Sequence, residues 1–189
     1  VALFATMSLS AQPAIFINEI HYHRVEVAAY HSNGSPVLDL SSDIHEFVEL
    51  YNTGSNAVSL ANWELTGGIG FDFPADTVIG PGAFVVIAKD VSRIRAVYPS
   101  LTEVIGPFSG QLGNNNDTVR LRDNAGQVVD AVSYSAEFPW AISADALGAS
   151  DEWTGLNSID HQYRGRSLER VSLSASANDP ANWVASPLT

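Results

Sequence analysis

Cysteine is absent from the 189 residues, so neither a disulfide framework nor a thiolate metal site is available, and stability must come from packing. Basic residues are scarce: nine Lys and Arg stand against 21 Asp and Glu, a formal net charge of -12. That balance repels phosphate backbones and argues against nucleic acid as a partner. The one apolar run at the start is too short to cross a bilayer. No P-loop, dinucleotide glycine pattern or Gly-x-Ser-x-Gly elbow occurs. Helical periodicity is rare as well.

What is present suits one domain with a real core, since 46% of the residues are hydrophobic. Residues 1–14 pass from an apolar run (Val1, Ala2, Leu3, Phe4, Ala5) into small and polar residues. They read either as the tail of a secretory signal with its cleavage zone or as a buried N-terminal strand. From residue 15 onward, short strand-like runs alternate with turn chemistry. Ile15–Tyr22 reads as a strand with Phe16, Ile20 and Tyr22 on one face. An insertion, Arg24 to Asp43, carries the loop signal Ser32-Asn33-Gly34-Ser35-Pro36. Glu46–Tyr51 is a second strand, and a third runs from Ala57 to Leu65 around Trp63 before Gly67-Gly68 breaks it.

Ala83–Ala88 is continuously apolar, as a central strand would be. Ser92 to Tyr98 fits one short helix capped by Ser92. The plainest hairpin joins Thr118–Arg122 to Gln127–Tyr134 through Asp123-Asn124-Ala125-Gly126, with Gly126 where positive φ is expected. Residues 136–189 begin with a long polar and aromatic excursion, reaching Arg166, and then offer Leu168–Val171 as a returning strand and Trp183 as a late anchor. The pattern predicts an all-β, immunoglobulin-like sandwich with one short helix and a long C-terminal loop excursion.

Ile17–Tyr22, Glu46–Asn52, Val58–Leu65, Phe73-Pro74, Ile79–Gly82, Phe84–Ala88, Leu112–Asn114, Asp117–Leu121 and Gly126–Asp130 occur in an order that resembles bacterial lamin tail domains over residues 15–135. The resemblance implies an immunoglobulin-like fold and a tethering or interaction role, as an accessory module beside catalytic or membrane-anchored domains. The Arg24–Asp43 insertion and the long excursion depart from that pattern.

The residues offer chemistry only in fragments. His45-Glu46-Phe47-Val48-Glu49 lacks the second histidine of a helical zinc site. His21 and His23, two apart on a strand, are metal candidates if Asp43, His45 or His161 converges on them; the plainer reading is a polar patch beside a loop. Asn114, Asn115, Asn116, Asp117, Asp123, Asn124, Asp145, Asp151, Glu152 and Asp160 offer hard oxygens for calcium, though without EF-hand spacing, and Asx-rich turns are ordinarily just turns. No other cofactor is expected. Phe138, Trp140, Trp153 and Tyr163 fit a satellite core better than a carbohydrate platform. Glu19 and Glu49 interrupt apolar strands, where a carboxylate needs partners or solvent.

Three functions compete on these residues. The first is a non-catalytic extracellular module of a secreted or cell-surface bacterial protein, bound to a protein or a cell-surface polymer. The second is a subunit that assembles with copies of itself by strand exchange through Val1, Leu3 and Phe4. The third is a metal-assisted hydrolase using His21, His23 or His45 with loop carboxylates.

Overall fold

The computed structural model describes residues 14–24, 26–34, 36–39, 43–145 and 166–187. Val1, Leu3, Phe4, Asp151, Glu152, Trp153, Asp160, His161 and Tyr163 lie outside the described residues.

The first strands are β1 (Ile15–His21), β2 (Glu26–Tyr30), β3 (Pro36–Asp39), β4 (Phe47–Asn52) and β5 (Val58–Ser59). Then come β6 (Glu64–Thr66), β7 (Ile69–Asp72), β8 (Val78–Ile79), β9 (Phe84–Ala88), helix α1 (Val91–Val97), β10 (Val104–Ile105) and β11 (Ser109–Gly110). The chain closes with β12 (Asn116–Arg122), β13 (Val128–Ser135), β14 (Leu168–Arg170) and β15 (Trp183–Ala185). A six-stranded sheet in the order β10-β9-β4-β1-β14-β15 faces a five-stranded sheet in the order β11-β7-β6-β12-β13. The pairs β2-β3 and β5-β8 stand apart. This is the all-β, immunoglobulin-like sandwich with one short helix that the sequence predicts.

Alternation explains most of the core. Val48 and Leu50 of β4, Val85 and Ile87 of β9, and Leu168 of β14 meet Leu65, Val119, Leu121 and Val132 from the other sheet. Strand β1 departs from simple alternation. Its register against β4 shifts between Ile17 and Glu19, so Ile15 and Ile17 point inward before the shift and Ile20 and Tyr22 after it. Phe16 therefore does not share a face with Ile20 and Tyr22. The extra residue, Asn18, flips the phase.

Strand β9 is an interior strand between β10 and β4, and from Val85 to Ala88 both of its faces are covered. It lies second from the edge, where Val86 and Ala88 pack with Phe47, Ile94 and Val104 beneath α1. Asp90, rather than Ser92, caps α1: its carboxylate accepts from the backbone N–H of Ser92 and Arg93. Asp90 directly precedes the first helical residue, where an acceptor reaches these two donors. Replacing Asp90 with Ala is expected to cost about 1 kcal/mol in urea unfolding.

The run from Ala57 to Leu65 is two strands in different sheets, divided at Asn62, which adopts φ 61. Trp63 is half-buried against the core, and Leu60 and Leu65 are the fully buried residues of that segment. Gly67 joins β6 to β7 at φ 134, and a Cβ there would collide with the Thr118 carbonyl. The insertion after Arg24 folds as the β2-β3 hairpin. The C-terminal part supplies two of the six strands in the larger sheet, because β14 pairs with β1 and β15 with β14. Trp140 packs beside Trp183 in the main core at 6.3 Å between ring centroids, whereas Phe138 is 86% exposed. Phe138 is thus no part of a satellite core.

Candidate functional site

The outer face of the six-stranded sheet carries two ordered rows of side chains. The first is aromatic. Phe16 pairs with Tyr51, and Tyr51 with Phe84, across β1, β4 and β9. The Tyr51 and Phe84 rings stack at 4.3 Å and 17°, and Phe84 is 43% exposed. The Arg170 guanidinium lies 5.4 Å from the Phe16 ring centre.

The second row runs in unbroken register from Val86 through Glu49, Glu19 and Glu169 to Val184, across five neighbouring strands. Three carboxylates therefore stand side by side on β4, β1 and β14. The bulge at Asn18 makes this possible: simple alternation from Ile17 would have turned Glu19 into the core. Asn18 also donates to Glu49 Oε1 at 2.8 Å.

Burial pushes the Glu19 carboxyl up to about 7, Ser167 donates against that trend, and Glu49 and Glu169 reinforce it. Glu49 is raised too, by burial opposed by Asn18 and reinforced by Glu169. Among the described residues, no Lys, Arg or His forms an ion pair with any of the three. Above the row lies a groove of about 190 Å³ walled by Phe47, Ile94, Tyr98 and Leu101. Like charges directly opposite one another in a sheet are destabilising, so the row breaks a local rule without a compensating cation among the described residues.

The metal candidates go elsewhere. β1 ends at His21, so the idea of one strand face does not extend to His23. The His21 ring sits edge-on to Phe47, its Nε2 has no hydrogen-bond partner, and burial, with Arg24, His45 and His23 adding to it, lowers it to about 3. His23 Nδ1 lies 2.7 Å from Asp145, and its Nε2 lies 4.0 Å from Asp43. Asp43 also accepts from Gln111 and Asn114. Asp117 accepts from the backbone of Gly68, Gly113 and Thr118, holding the β6-β7 turn against β12, and Asn116 is exposed. Asp123 accepts from Ala125 and Gln127 within its own turn. Among the described residues, no three His, Asp or Glu side chains converge as metal ligands.

In the zincin-like segment, Glu46 pairs with Lys89, the only lysine in the chain, at 3.2 Å, while Glu49 points to the outer face. Burial outweighs Lys89 and raises Glu46 to about 8. Among the described residues, no helix is long and apolar enough to cross a membrane.

Sequence reading notices Glu19 and Glu49 separately but misses Glu169 and the aromatic row. The phase jump of apolar residues from Ile15 and Ile17 to Ile20 and Tyr22 is the available sign that Glu19 turns outward.

Two packed, mainly antiparallel sheets, one of them with a chemically patterned outer face, define an immunoglobulin-like domain. The chain belongs to the lamin tail domain family, whose model matches residues 8–136. That family is one of non-enzymatic, protein-interaction domains. A search of curated proteins finds no match to the chain.

Proposed function

We propose that this chain is a non-catalytic tethering module of an exported bacterial protein, and that it docks a partner on the outer face of its six-stranded sheet. The observation that carries this reading is the Phe16-Tyr51-Phe84 row, which leaves stacked aromatic surface open to solvent beside a groove. Aromatic side chains supply large contact areas at low entropic cost, and open aromatic surface marks interaction sites. The extracellular setting is supported by the signal-like sequence of residues 1–14.

The purified chain carrying a fluorescent label should be retained on intact cells of its source organism. The double variant Tyr51→Ala/Phe84→Ala should lose at least about tenfold in retention, the loss of two interface aromatics, with a small change in melting temperature. Prior trypsin treatment of the cells separates a protein partner from a polymer. Equal retention of wild type and variant, or retention of neither, would overturn the proposal.

A further inference from the structure

The geometry points to a lysine side chain, presented by a protein partner, as the occupant of the groove above Glu49, Glu19 and Glu169. This rests on the docking reading of the same face and names the chemistry that face selects. The groove is amphipathic in the sense a lysine requires. Its walls, Phe47, Ile94, Tyr98 and Leu101, are apolar or aromatic and suit a four-carbon stem. Its floor is the row of three carboxylates in register on adjacent strands. An ammonium has three N–H donors and no acceptor, so it can meet several carboxylates at once.

Charge complementarity favours this occupant in two ways. The chain has a net charge of -12, and its only lysine is already paired with Glu46, away from the groove. Among the described residues, the three carboxylates have no cationic partner of their own. A volume of about 190 Å³ is below the range of drug-sized ligand pockets and suits a single side chain. A hydrated metal ion would leave the apolar walls without a role.

The test uses Nα-acetyl-lysine N-methylamide added to the ¹⁵N-labelled full chain at pH 8. Saturable shifts are expected at the amides of Tyr98, Leu101, Ser167 and Glu169. The norleucine and Nζ-acetyl analogues, which keep the stem and lose the charge, should bind at least about tenfold more weakly, as expected for the loss of a charge-assisted contact. Methylamine, which keeps the charge and loses the stem, should also bind at least about tenfold more weakly. Glu19→Gln/Glu49→Gln should abolish the saturable shifts while the rest of the spectrum stays dispersed.

Absence of saturation, equal binding of the neutral analogues or methylamine, or saturation of the same amides by calcium chloride alone would overturn the assignment. A silent groove combined with loss of cell retention in Tyr51→Ala/Phe84→Ala would reject lysine and keep the docking face. Retention unaffected by that variant would reject the docking face itself.

Discussion

Arg170→Met is expected to destabilise the folded chain by about 3–5 kcal/mol, the usual cost of removing one partner from a buried ion pair. Arg170 Nη1 lies 2.7 Å from Asp130 Oδ2, and the two side chains are only 3% and 9% exposed. The same Asp130 oxygen accepts from the Ile17 backbone N–H, and Arg170 Nη1 also donates to the Ile17 carbonyl. One ion pair thus fastens β14 and β1 of one sheet to β13 of the other. Removing the cation leaves Asp130 buried without its counter-charge, which is worse than removing both groups.

The double variant Arg170→Met/Asp130→Leu should therefore recover much of the loss, ending within about 2 kcal/mol of wild type. Urea unfolding of both variants, with unchanged slopes, measures the difference. A cost below about 1 kcal/mol for Arg170→Met would place the pair among exposed bridges that contribute little.

Some of this architecture could be read from the sequence because it is local. The β12-β13 hairpin needs only alternating residues and a short turn, and its register pairs Thr118 with Ser133 and Val119 with Val132 across Gly126 at φ 75. The ordered blocks of the family cover the same stretch. The Arg170 clamp joins positions 40 and 153 residues apart, and no local pattern specifies such a contact. The same holds for the carboxylate row, which brings Glu19, Glu49 and Glu169 together through two strand pairings and one bulge. Glu19 read alone is an anomaly in an apolar strand, and its meaning appears only beside its neighbours. Phe16, Tyr51 and Phe84 each look like ordinary strand residues for the same reason. The histidines mislead in the opposite direction: His21 and His23 are conspicuous, yet one packs on Phe47 and the other turns to Asp145.

Glu19→Gln is expected to stabilise the chain above neutral pH and to change little below pH 4.5. Burial, with Glu49 and Glu169 adding to it and Ser167 opposing it, lifts this carboxyl from 4.5 to about 7 in the fold. The folded chain then holds a proton that the unfolded chain releases. Stability accordingly falls as pH rises from 4.5 to about 7 and levels off above that window. The full span corresponds to about 3 kcal/mol as an upper bound, because each tenfold change in proton affinity is worth about 1.4 kcal/mol. Glu46, raised to about 8, slopes in the same direction in both proteins and drops out of the comparison.

Unfolding free energies of wild type and variant between pH 4 and pH 9 should diverge across that window and run parallel outside it. Parallel curves throughout would mean that water already solvates the carboxylate and that no strain is held at Glu19. If an ammonium is the missing counter-charge, it must displace the proton that Glu19 holds, so binding by wild type should weaken as pH falls below 7. Glu19→Gln should then be the more stable protein at pH 8 and the poorer binder, a combination expected where a strained group is kept for a ligand rather than for the fold.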